Sequence, residues 1–184
     1  MPEPEEELPQ PVWSGPPDNE AGVVVPLNRL LARSREVAVM LLSATVFSTG
    51  FELTGAVRTR ERIGALHESF VMHHRRPKSA ELHPGFLRFG LEFADGRRAT
   101  NLGYPASAFQ RDADPSQPVL VPRGSGGGDR RWDGKWWVWP LPPAGPLTVV
   151  CEWPAYGIAL TRHEFDAGML LEASAHVERL WPAR

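Results

Sequence analysis

Four histidines crowd one short stretch of the chain: His67, His73, His74 and His83, with Glu68 and Glu81 among them. Imidazole and carboxylate together are the ligand set of many zinc sites, and imidazole is the side chain that titrates near neutral pH. A metal site also needs a backbone that holds its ligands at fixed angles, through a tight spacing on a helix or through paired cysteines. Adjacent His73-His74, followed by Arg75-Arg76-Pro77, matches neither pattern. The stretch reads as a solvated loop, and no metal is expected. His163 stands beside Glu164 where a helical period begins, and His176 lies within that period. Both read as boundary side chains rather than catalysts. Cys151 is the only thiol, and a thiol becomes a nucleophile when a base sits beside it. It alternates with Val149 and Trp153, the phase of an inward strand face, where cysteine behaves as a small apolar group. Asp112, Asp114, Asp129 and Asp133 offer an acid–base pair, but no element enforces a separation between them. A Gly-x-Ser-x-Gly elbow does not occur. No catalytic residue is assigned, and the chain is expected not to be an enzyme.

Two neighbouring motifs carry binding chemistry. Arg123-Gly124-Ser125-Gly126-Gly127-Gly128-Asp129-Arg130-Arg131 could cradle phosphate with backbone N–H groups and guanidinium forks. A phosphate loop is followed by a helix whose N-terminus faces the anion. Here a tryptophan-rich strand follows, so Gly124–Gly128 is expected to be a flexible loop tip and no cofactor is expected. Of the seven tryptophans, four fall within Trp132–Trp139. On a strand, Trp137 and Trp139 share one face while Trp136 and Val138 share the other. One face must join the core. The favoured arrangement puts Trp136 and Val138 under the N-terminal segment, where Trp13 meets them. If an aromatic face is left exposed instead, the binding residues are Arg130, Arg131, Trp132 and Trp136. Exposed indoles stack on sugars, on nucleobases or on a partner's arginines.

The elements that must position these groups are mostly strands. Val37–Phe47 is apolar on both faces, as in a central strand. Ser48-Thr49-Gly50 turns the chain into Phe51–Arg60, where Phe51, Leu53, Gly55 and Val57 alternate with Glu52, Thr54, Ala56 and Arg58. Leu87–Phe93 and Arg98–Leu102 flank Asp95-Gly96, a tight-turn dipeptide. Val23–Pro26 reads as a short edge strand because Pro26 lacks a ladder donor. Val119–Val121, Lys135–Trp139, Leu147–Trp153 and Gly157–Thr161 complete about eight short strands. Phe165, Met169, Ala173, Val177 and Leu180 then repeat every three to four residues, predicting one amphipathic helix over about 166–181. Asp166 is the expected cap, with Thr161 and Glu164 as a rival capping box. The sum is an antiparallel β-sandwich, or a barrel-like closure, with one C-terminal helix.

Composition sets the class. Residues 1–22 are acidic and proline-rich and read as a disordered tail, leaving 23–184 as a single domain. The net charge of −2 argues against nucleic acid and anionic membranes as partners. Of the 20 basic residues only Lys78 and Lys135 are lysine, the mark of a GC-rich genome. No apolar run reaches the ~18–20 residues that span a bilayer, and the acidic N-terminus is the reverse of a signal peptide. With one cysteine, these features imply a cytoplasmic protein. Trp137-Val138-Trp139-Pro140-Leu141-Pro142-Pro143, then Glu152-Trp153-Pro154 and the closing Leu180-Trp181-Pro182, resemble a group of uncharacterised proteins from high-GC actinobacteria. The likeness covers most of residues 12–182. It implies a bacterial cytoplasmic setting and carries over no activity and no functional residues. The expected function is that of an interaction or scaffold module that binds a protein partner or a second copy of itself. The alternatives are a carbohydrate- or anion-binding sandwich using the Trp/Arg strand, and a metal enzyme using the His-rich loop.

Overall fold

The computed structural model describes residues 11–62, 82–102 and 116–182. Strands β1 (Glu20–Ala21), β2 (Val23–Arg33), β3 (Val37–Val46) and β4 (Phe51–Thr59) come first. They are followed by β5 (Arg88–Glu92), β6 (Arg98–Thr100), β7 (Val119–Gly128), β8 (Arg131–Trp139) and β9 (Pro146–Trp153). A 3-10 turn at Pro154–Tyr156, β10 (Ile158–Asp166), helix α1 (Gly168–Ser174) and β11 (Glu178–Arg179) complete the chain. Sheet one runs β2-β3-β4-β8-β7 and sheet two runs β10-β9-β5-β6. All pairings are antiparallel. The sheets do not close on themselves, so the fold is a sandwich and not a barrel.

Alternation decides what lies between the sheets. On β4, Phe51, Leu53 and Val57 are buried, and opposite them on β8 sit Val138, Trp136 and Trp132. On β9 the inward set is Leu147, Val149, Cys151 and Trp153. These side chains form one core, and each large one contributes about 1.5–3 kcal/mol by leaving water. The rings of Phe89 from sheet two and Trp136 from sheet one stack at 5.2 Å across the interface.

Two glycines make room for the indoles. Gly55 and Gly134 are directly opposed on β4 and β8. A Cβ on Gly55 would lie 2.7 Å from Trp136 Cζ3, and one on Gly134 would lie 2.0 Å from Trp132 Cη2. The pair therefore forms a hollow in the inner face of the sheet, in which both rings lie.

Asn101 is the buried polar side chain of the described core. It follows β6 and continues the ladder with its amide. The Phe89 N–H donates to Asn101 Oδ1 at 2.7 Å, and Asn101 Nδ2 donates to the Leu87 carbonyl at 2.8 Å. His163 on β10 ties the sheets together along their other margin, donating through Nε2 to the Leu31 carbonyl of β2 at 2.6 Å.

Several expectations are corrected. Strand β2 continues seven residues beyond Pro26, as the edge that Pro26 implied. The double-faced look of β3 owes much to a bulge between Leu41 and Ser43, which moves the inward phase from Val37, Val39 and Leu41 to Ala44 and Val46. The expected loop tip at Gly124–Gly128 is strand, paired along its length with β8. The C-terminal helix spans 7 residues instead of four turns. Phe165 belongs to β10, and Glu178–Arg179 pair with β1 as a two-stranded ribbon. Asn19 locks that ribbon by accepting from Trp181 N at 2.9 Å and donating to Trp181 O at 3.0 Å. Asp166 does accept from Gly168 N at 2.8 Å, although Ala167 holds the N-cap position. Thr161 and Glu164 lie in β10 and cap nothing.

Candidate functional site

The β7–β8 hairpin brings most of the expected binding residues to one corner, but not onto one face. Arg130 and Arg131 are exposed at the turn. Trp132 and Trp136 point the other way, into the core, at 4% and 7% exposure. The pairing of Leu53 with Trp136 and of Phe51 with Val138 sets this phase, because the β4 partners are themselves core residues. Indoles so placed have no open ring face on which a sugar or base could stack.

Trp137 and Trp139 therefore take the outer face. Trp137 packs with Val119 and Val121 of β7, and Phe47, Trp139 and Trp13 close over it. Trp13 meets Trp139 edge-on at 6.2 Å, and Phe47 meets Trp137 at 5.9 Å. Arg123 Nη1 donates to the Ser14 carbonyl at 3.4 Å. The N-terminal segment does dock through Trp13, but over Trp137 and Trp139 instead of over Trp136 and Val138. Asp133 and Lys135 share the phase of Trp137, and their charges were the signal that this phase faces outward.

Beyond the aromatic cover, the outer face of β8 carries ion pairs. Asp133 sits 2.8 Å from Arg58 Nη1 and 3.7 Å from Arg131 Nη2, and Lys135 reaches Glu52 at 2.8 Å. Apart from Glu52, whose side chain is largely covered, the partners are partly exposed, and such surface pairs are worth about 0–1 kcal/mol each. Asp129 pairs with Arg62 at 3.1 Å. The two described members of the acid–base set are thus each held by an arginine, while Asp112 and Asp114 lie outside the described residues.

The other candidates are structural. His83 accepts from Gly85 N at 3.1 Å, and His176 Nδ1 donates to the Glu172 carbonyl at 2.9 Å. His67, His73 and His74 lie outside the described residues, among which no group of three or more His, Cys, Asp or Glu could hold a metal. Two apolar gaps between the sheets, one under Met169 and Leu170 and one beside Trp132 and Trp136, each have room for about one water. Among the described residues no helix is long and apolar enough to cross a membrane. Comparison with family models, curated proteins and solved structures gave no match.

Cys151 is buried, and burial, with a smaller push from the Glu152 carboxylate, raises its thiol from 9.0 to about 12. A thiol held protonated is a poor nucleophile. Alkylation at pH 8 is expected to leave the native chain unmodified over a period in which the urea-unfolded chain reacts fully. Rapid labelling of native protein would refute this burial. The folded state prefers the protonated form, so the stability this gives is complete below pH 9 and is lost as pH climbs toward 12.

The feature that sequence reasoning missed is the edge of β7. Pro122–Gly128 are all exposed, and β7 ends the order of its sheet. Among the described residues no strand pairs on its outer side. A Cβ at Gly124, Gly126 or Gly128 would meet nothing within 4 Å, and none of the three has positive φ. Internal packing gives no reason for glycine at these three positions. Gly127 differs, since a Cβ there would lie 2.1 Å from the Arg131 carbonyl.

Proposed function

We propose that this chain is a non-enzymatic, bacterial cytoplasmic interaction module that recruits a protein partner by adding one of the partner's strands to the exposed edge of β7. One observation carries the proposal: an exposed edge strand is bare of side chains at positions where its own fold would accept them. Most proteins guard such an edge with lysine, proline or a covering loop, because its unpaired N–H and C=O groups template pairing. Glycines leave those groups open to an incoming backbone. Strand addition takes its affinity from main-chain hydrogen bonds, and so needs little side-chain chemistry on the receiving edge.

A selection of displayed, randomised peptides on the full chain tests this. Selected peptides are expected to lose about tenfold or more in affinity when alternate amides are N-methylated. One buried amide hydrogen bond is worth about 1 kcal/mol, and each 1.4 kcal/mol is a factor of ten. Peptides that bind equally well after methylation, or the recovery of no binder, would remove the edge from consideration.

A further inference from the structure

The corner around the β7 edge is charged unevenly. Arg123 opens the glycine run, and Arg130 and Arg131 follow its end. The chain after β4 runs beside the same turn: the Thr59 N–H donates to the Arg130 carbonyl at 3.0 Å, and Arg62 Nε lies 3.1 Å from Asp129 Oδ2. That places Arg58, Arg60 and Arg62 near Arg130 and Arg131. Against these five arginines stand Glu36, whose carbonyl accepts from Arg60 N, Glu61, Asp129 and Asp133, an excess of one positive charge on a chain whose total is −2. Among the described residues, Arg60, Arg123 and Arg130 pair with no carboxylate. From Arg123 to Gly128 an extended chain covers about 17 Å, at ~3.3 Å per residue. The bare edge therefore has a guanidinium at its start and a cluster of them past its end.

We infer that the segment captured by β7 is an acidic one: an extended peptide of about six residues with Asp or Glu near both ends and small or β-branched residues between. The inference rests on the strand-addition reading and adds the chemistry of the partner to it. Backbone pairing fixes the peptide against Arg123–Gly128. Its end carboxylates then reach the guanidiniums of Arg123, which holds only the Ser14 carbonyl, and Arg130, neither paired with a carboxylate among the described residues; such planar forks bind carboxylate in a bidentate manner. Because these contacts lie at the rim, they act mainly on partner choice and on the rate of encounter.

The same peptide selection decides between outcomes. Binders sensitive to N-methylation are expected to be enriched in Asp and Glu at their two ends. Their affinity should fall about threefold to tenfold with Arg130→Glu, and by a similar factor on raising salt from about 50 to 500 mM, as screening shortens the reach of charge. Arg130 is exposed at a turn, and a thermal melt of the variant checks that its fold is intact. Methylation-sensitive binders that are neutral or basic, and indifferent to Arg130→Glu, would overturn the acidic partner while leaving strand addition standing. Loss of methylation sensitivity would overturn both. Binding of a second copy of the chain through β7, seen as a concentration-dependent dimer that excludes peptide, would overturn a foreign acidic segment as the occupant.

Discussion

Trp136→Ala is expected to cost about 3–5 kcal/mol of folding stability, the range for removing a large buried aromatic. A domain of this size has about 5–15 kcal/mol in total, so much of the population would unfold under mild conditions. The indole is 7% exposed, stacks on Phe89 across the sheet interface and leans on Trp132 at 5.6 Å. Removing it opens a cavity at a point where the two sheets touch through stacked rings. A urea titration followed by circular dichroism reads the effect as a large fall in midpoint. An unchanged midpoint would mean that the ring faces solvent, and the sandwich register described above would then be wrong. Any loss of peptide capture in this variant should track the loss of fold.

Asn101→Ala is the second large effect, at about 2–4 kcal/mol. The substitution leaves the Phe89 N–H and the Leu87 carbonyl without their partners in a buried setting, and each orphaned group costs about 1–3 kcal/mol. Native-state hydrogen exchange offers a local test. The Phe89 amide should exchange much faster in the variant, while amides of the β3–β4 pair keep their order of protection. Equal protection of Phe89 in both proteins would show that the asparagine is not its partner.

The strands that could be read from sequence are those whose alternation runs unbroken and whose turns are spelled by local residues. β4, β5 and β9 fall in this group. So does the β5–β6 turn, where Gly96 takes φ +83° as its Asp-Gly dipeptide suggests. β2 is not legible after Pro26 because register shifts between Pro26 and Arg29, where Asn28 takes φ +44°, and between Leu30 and Ala32 scramble its period. Gly124–Gly128 has almost no side chains to show a phase, and its state is decided by the β8 strand beside it. The helical spacing of Phe165 to Leu180 is real, but local period lost to distant partners. Pro146 and Leu147 claim Asp166 and Phe165 as strand, and Glu20 and Ala21 claim Arg179 and Glu178. At the candidate site, Arg130 and Arg131 were found on the surface where their charge predicts. The face of the tryptophans is hard to read in the sequence because apolar residues lie on both sides of β8, and only Asp133 and Lys135 break the tie.

The opposed Gly55 and Gly134 link the history of four positions. A methyl group at either would strike a ring, and a smaller ring at 132 or 136 would leave the hollow empty. Neither half can drift alone without loss, so acceptable changes must arrive in pairs whose energies do not add. Sequences that share this fold should then keep both members of each glycine–indole couple or replace both, and a chain with alanine at 134 should carry something narrower than tryptophan at 132.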